Sequence, residues 1–334
     1  MPGSLVGRRT AVAILTLAAF LFGLAVTLAS SELFARGLTR LGTKLALSEG
    51  LLGLLAALGA DSPELSSAVI ALLAGAGSVG VGVVVGSNLF NLAALLGLSA
   101  VVARGVTIRR GPLILDAVVG MLVTVGAAAM VAGLIAPSVT ALVILPVAVA
   151  YVYLLAAPRR NLRVLAPKDL VEVPYEVTHD RPRITHQSWV PTILLPVALA
   201  GVVGGSFVMV HEALAAQSWL HLSSAVLGTI VLAALTSLPN LQVALHFARR
   251  DRGTALFSAA MNSNTVNLVG GLIVPALFVG LGATRGSMPY FLWLILLTLL
   301  TVLAPLRRGS LSRGAGAVII AIYVFFAVLR VLGV

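Results

Sequence analysis

Apolar residues in this chain come in runs of about twenty, the length of helix that crosses a ~30 Å hydrocarbon layer. Ten such runs are separated by short polar stretches: roughly 11–31, 47–74, 81–103, 112–134, 138–157, 190–211, 223–248, 255–281, 288–306 and 312–332. The pattern predicts an all-α polytopic membrane protein with ten transmembrane helices. Arg8 and Arg9 before the first run, and Thr27-Leu28-Ala29-Ser30 at its end, imitate a secretory signal. The run is long for one, so a retained helix is expected.

The polar stretch 158–189 divides the chain evenly, with five runs before it and five after. We expect a first five-helix repeat at 1–157, a linker at 158–189 and a second five-helix repeat at 190–334. An odd number of spans per half means that the halves enter the bilayer from opposite sides. That is the architecture of an inverted repeat.

Residue types support the division. The first half reads Gly59-Ala60-Asp61-Ser62-Pro63-Glu64-Leu65, then Gly86-Ser87-Asn88-Leu89-Phe90-Asn91. The second reads Leu235-Thr236-Ser237-Leu238-Pro239-Asn240-Leu241, then Asn262-Ser263-Asn264-Thr265-Val266-Asn267. At one offset of 176, Pro63, Ser87, Asn88 and Asn91 all meet identical partners. Polar and proline matches at a fixed offset inside apolar spans are costly to keep without a reason.

Proline lacks an N–H and disfavours helix behind it. Each span is therefore expected to break at Pro63 or Pro239, freeing carbonyls that must line a cavity inside the protein. Ser, Thr and Asn add oxygen ligands of the kind that hard cations take. Asp61 and Glu64 have no Lys or Arg within the four motif spans, and a buried carboxylate without a cationic neighbour marks an ion path. The candidate cation ligands are Asp61, Glu64, Ser87, Asn88, Asn91, Thr236, Ser237, Asn240, Ser263, Asn264 and Asn267. Ser66, Ser67 and Gly97 read as helix-packing residues. Glu32, Glu49, Asp116 and Glu212 sit near span ends and read as interfacial.

Composition and charge narrow the picture. The chain has 334 residues, 59% hydrophobic and 10% charged, with a net charge of +11 and no cysteine. Too little charge is present to cover a soluble protein. Thiolate metal sites and disulfides are excluded. The basic residues are scattered through loops, which argues against a nucleic-acid groove and for lipid as the partner. Of the 22 Lys and Arg, 18 fall in the odd-numbered connections and 4 on the other side. The positive-inside rule puts the odd connections in the cytoplasm and both termini outside, in the plasma (inner) membrane. The linker reads as a solvated connection.

These motifs resemble the α-repeats of the cation/calcium antiporter superfamily, which includes the sodium/calcium exchangers. The first copy is the fuller match, with Pro63, Glu64, Gly86, Ser87, Asn88 and Asn91 in place. The lead-in Ser31-Glu32-Leu33-Phe34 and Leu47-Ser48-Glu49-Gly50-Leu51 is similar as well. The resemblance implies ten helices in two inverted halves and a midplane cation site built from helices two, three, seven and eight. It implies sodium or protons driving calcium by alternating access, with no cofactor beyond the transported cations.

The second copy departs from the family. Asn240 stands where a glutamate is usual, Asn262 where glycine is, and in the first copy Ala60 and Asp61 replace Thr and Ser. A Ca²⁺ ion needs roughly two negative charges in a low-dielectric site. Either Asp61 supplies the charge missing at 240, or Asp61 and Glu64 crowd one another and the site serves monovalent cations or protons. A membrane enzyme and a transport-inactive scaffold are the remaining classes. No nucleotide loop, His pair at metal spacing or nucleophile-plus-base set favours the enzyme.

Overall fold

The structure, a computed structural model, describes residues 3–45, 49–156, 190–241, 253–281 and 284–333. The linker expected at 158–189 lies outside them. Ten long helical segments occur among the described residues. They are α1 (Gly3–Lys44), α2 (Glu49–Leu73), α3 (Gly77–Val102), α4 (Arg110–Val131), α5 (Pro137–Ala156), α6 (Leu195–Trp219, after a turn at Val190–Ile193), α7 (Ser224–Thr236), α8 (Gly253–Leu268, continued by Val269–Ile273 and Val274–Ala276), α9 (Met288–Arg308) and α10 (Arg313–Val331). Seven of these are long and apolar enough to cross a membrane. α7 is shorter, and α8 is diluted by its Asn-Ser-Asn run.

α1 runs 42 residues, well past the span expected at 11–31. The polar stretch read there as loop is helical, and Glu32 and Arg36 pair one turn apart along it at 2.6 Å, an arrangement that supports a helix face. At ~1.5 Å per residue α1 is about twice as long as the hydrocarbon layer is thick.

The layers follow burial. α3 is the centre, with 94% of its best apolar window buried, whereas α1 and α10 bury 11% and 17% of theirs. Large apolar side chains such as Leu15, Phe22, Leu142, Phe207 and Phe325 are exposed and face where lipid would lie. α3 packs on α2 and α7, α4 on α8 and α9, α1 on α6 and α2, and α10 on α3.

Lipid gives no hydrophobic drive for helices to associate, so close backbone approach and polar bridges do the work. Gly86 shows the first device: a Cβ there would lie 2.4 Å from the Thr229 carbonyl oxygen on α7. Ser66 shows the second, donating to Ser206 of α6 at 2.7 Å. Gly97 meets Gly316 of α10 in the same close-packed manner.

α3 and α8 each contain one stretch of π-helix, at Leu92–Leu98 and Val269–Ile273. At the offset of 176 these two stretches superpose in the sequence, whereas a third, at Leu227–Leu232 of α7, falls opposite ordinary α-helix in α2. Such widened turns are frequent at functional sites.

A two-stranded antiparallel ribbon joins the halves. β1 (Val106–Thr107), after α3, pairs with β2 (Ser310–Leu311), between α9 and α10. The Ile108 N–H donates to the Gly309 carbonyl at 3.0 Å beside it. The third and ninth connections thus lie on one face. Gly77, after the second connection, abuts the Leu281 carbonyl of the eighth on the other.

Candidate functional site

The four motif segments meet in the interior. Asp61, Glu64, Ser87, Asn88, Asn91, Thr236, Ser237, Asn240, Ser263, Asn264 and Asn267 are all buried, none exposed by more than 5%. α2 supplies both carboxylates and the other three helices surround them with neutral donors. Asn240 Nδ2 donates to Asp61 Oδ1 at 2.7 Å and lies 3.2 Å from Glu64 Oε1. One amide group of the second repeat therefore sits between the two acids of the first. Ser263 Oγ donates to Asp61 Oδ1 at 2.8 Å. Ser237 Oγ donates to Glu64 Oε1 at 2.5 Å, and Asn267 Nδ2 donates to Glu64 Oε2.

A second tier holds these groups in place. Asn267 Nδ2 is 3.1 Å from Asn88 Oδ1, and Asn88 Nδ2 donates to the Asn264 backbone carbonyl at 3.2 Å. Asn91 Nδ2 donates to Ser263 Oγ at 2.9 Å. Asn88 and Asn264 are themselves related by the 176-residue offset, so the motif copies bond to one another across the pseudo-symmetry.

Thr236 stands apart. Its hydroxyl turns back along its own helix to the Leu232 carbonyl at 2.9 Å, and no bond to either acid is recorded. Ser87 is fully buried and its hydroxyl has no partner.

The expectation of a broken helix at both prolines holds in one copy. α7 ends at Thr236, and Ser237 leaves helical geometry with φ −83° and ψ 1°. α2, by contrast, continues through Pro63 from Glu49 to Leu73. The difference lies at the carbonyl that the proline frees. Pro63 leaves the Gly59 carbonyl without its helical donor, and two hydroxyls replace it: Ser62 at 2.7 Å and Ser31 of α1 at 2.8 Å. Gly59 allows that approach, since a Cβ there would lie 2.4 Å from Ala35. In the second copy Leu238 takes the place of Ser62 and carries no hydroxyl.

The interior also holds oxygen atoms with nothing bonded to them. Asp61 Oδ2, Asn91 Oδ1, Asn264 Oδ1, Asn267 Oδ1 and Ser87 Oγ are all buried and unpartnered. Four are pure acceptors and Ser87 Oγ is a donor-acceptor. A buried acceptor left unpaired costs about 1–3 kcal/mol. Oxygens of carboxylate, amide and hydroxyl type are what a hard cation collects. Among the described residues no Lys or Arg is paired with either acid.

The sodium/calcium exchanger protein family matches residues 15–158 and 190–332. The chain belongs to that family. It is an integral multi-pass membrane transporter, not an enzyme, in two repeats. An uncharacterized membrane protein of Methanocaldococcus jannaschii is 27% identical over 313 residues, covering 91% of this chain and 94% of that one. A putative antiporter, CaxA, of Alkalimonas amylolytica is 39% identical over 85 residues, 25% of this chain and 27% of that one. Among solved structures, the sodium-calcium exchanger NCX_Mj soaked with 100 mM Na⁺ and 10 mM Sr²⁺ aligns with a TM-score of 0.61 at 25% identity. That alignment covers 94% of this chain and 97% of NCX_Mj.

One residue set escaped the sequence reading. Asp116, expected at an interface, is 1% exposed. Its Oδ1 accepts from Tyr151 of α5 at 2.8 Å and its Oδ2 from Ser258 of α8 at 2.5 Å. Asp116 lies near the start of α4 in sequence, but α5 and α8 cover it. The available signal was Asn262, a polar replacement for the repeat's glycine: its amide oxygen meets the Tyr151 hydroxyl.

Proposed function

We propose that the chain is a secondary cation antiporter that exchanges calcium for sodium or protons by alternating access at the Asp61–Glu64 site. The observation that carries this reading is the set of unpartnered buried oxygens on residues bonded to, or adjoining, the two acids. A dehydrated divalent cation is the species that would use them. Asp61 and Glu64 provide the two negative charges Ca²⁺ needs, one amide width apart.

The bridging Asn240 favours a divalent over a monovalent ion in one respect. Its Nδ2 donates to both acids and lets them approach while both are charged. Unshielded, the pair would hold a proton in place of a metal. Asn240 thus takes over a screening task at the position where the family carries a charge. Cargo enters from both sides in turn, the cytoplasmic face being the one with the basic odd connections and both termini lying outside.

The test is calcium uptake into proteoliposomes loaded with sodium, repeated with a pH gradient in place of the sodium gradient. Uptake driven by either gradient and lost in Glu64→Gln supports the proposal. Sodium–proton exchange that calcium neither drives nor inhibits would replace it with a monovalent antiporter.

A further inference from the structure

We propose that Asp116 is a proton-binding site separate from the cation site, joined to it through Tyr151 and Asn262. The proposal takes the cargo path through Asp61 and Glu64 as given and adds a second ionisable position beside it.

The Tyr151 hydroxyl lies within bonding distance of two oxygens, Asp116 Oδ1 and Asn262 Oδ1. It owns one hydrogen and can donate to one of them. With Asp116 ionised, the other contact sets two acceptor oxygens against each other without a hydrogen between them. One added proton on Asp116 Oδ1 completes the chain. Asp116 then donates to Tyr151, Tyr151 donates to Asn262, and Ser258 still donates to Oδ2. On release the proton leaves Oδ1, and the Tyr151 hydrogen turns from Asn262 back to Asp116. No other atom has to change bonding.

Surroundings agree. Asp116 and Tyr151 are 1% and 4% exposed. An unpaired carboxylate at that burial is costly inside a membrane, and protonation is the usual escape. Among the described residues, Tyr151 is the one titratable side chain bonded to Asp116. The remaining charged or titratable residues on its own and the adjoining described helices are Arg110 of α4, Tyr153 of α5, and Tyr290, Arg307 and Arg308 of α9; α8 has none between Gly253 and Ala276. None of these is recorded as bonded to Asp116. Neither Asp61 nor Glu64 is recorded as bonded to Asp116; Ser263, next to Asn262 in the chain, donates to Asp61.

The connection to the cation site is one peptide unit long. Ser258 and Asn262 are one turn apart on the face of α8 that meets α4 and α5. The next residue, Ser263, donates to Asp61 and accepts from Asn91. The proton on Asp116 and the cation at Asp61 therefore act on the same turn of α8. The expected result is that protonation alters cation affinity about fivefold or more, a usual size for coupling between sites.

Infrared spectroscopy of cation-free protein tests the site directly. In the Asp61→Asn/Glu64→Gln background, a protonated-carboxyl C=O band should be present at neutral pH and vanish when Asp116→Asn is added. Tyr151→Phe, which removes the hydrogen-bond partner and keeps the carboxyl, should shift that band, and serves if Asp116→Asn does not fold. Absence of any Asp116-dependent band, as expected if the Asn262 amide nitrogen faced Tyr151 instead, would overturn the proposal. So would a band that Tyr151→Phe leaves unmoved. This readout does not depend on transport, so a failure of the calcium–sodium reading leaves it intact. In transporting protein, Asp116→Asn should flatten the pH dependence of the apparent KM for calcium; an unaltered pH profile would remove the coupling.

Discussion

The two copies of the motif share a proline, a serine and two asparagines and end in different states. In the first, α2 runs unbroken through Pro63, carries both acids, and has its freed carbonyl capped by Ser31 and Ser62. In the second, α7 breaks at Ser237 and supplies neutral donors, Ser237 and Asn240, to those acids. A proline in a membrane helix is thus not a break in itself: at Pro63 two hydroxyls take the place of the missing N–H. Both acids sit on the copy whose helix is continuous, and the irregular backbone lies in the copy without a carboxylate.

The largest effect that would break this division of labour is at Glu64. Glu64→Gln and Asp61→Asn should each reduce calcium uptake to the level of empty vesicles, since each removes one of two charges. Retained uptake in either variant would show that the first copy does not carry the charge alone. Moving the charge sharpens the comparison. Asn240→Glu added to Asp61→Asn restores two acids, one from each copy, and should recover part of the uptake lost in Asp61→Asn. No gain over Asp61→Asn would mean that the broken helix cannot present a carboxylate in the place where the continuous one does.

Stability effects come next. Gly86→Ala pushes a methyl into the Thr229 backbone and should cost about 1–3 kcal/mol, the usual cost of overpacking. It would be read as a drop in the midpoint of thermal unfolding in detergent. Asn262→Gly at the matched position creates no such clash but takes away a partner of Tyr151, and should lower that midpoint less. Smallest is the carbonyl cap. Ser31→Ala or Ser62→Ala alone leaves one hydroxyl on Gly59 and should cost about 0.5–1.5 kcal/mol. The double variant leaves the carbonyl bare, and its cost should exceed the sum of the two. Additivity would show that the cap is not what keeps α2 whole.

Much of this was legible in the chain. Ten apolar runs, the even split, and the 176-residue offset led to the repeat, and the motif residues led to the four helices that meet at the centre. Three things were not legible, and each needed a contact between segments far apart in sequence. The continuity of α2 rests on Ser31, 28 residues from Gly59. The burial of Asp116 rests on α5 and α8, the latter reaching it from Ser258, 142 residues away. The acids' screening rests on Asn240, which the motif comparison marked as a loss. α1 beyond residue 31 was misread for a different reason: its polar residues suggest a loop when counted, and a helix once Glu32 and Arg36 are seen one turn apart.

The small ribbon between β1 and β2 has a mechanical consequence. It ties the end of α3, in the first half, to the corner of α9 and α10, in the second. The Arg109 N–H adds a bond to Thr254 at the start of α8, at 3.1 Å, and Gly253 lies against Thr107. One face of the bilayer thus has its two halves stitched together by backbone. If the halves swing to open the site to each side in turn, that stitched corner is the natural fulcrum. The opening there would then be narrow and the opening opposite it wide, and a transporter built from mirrored halves would work with unequal gates.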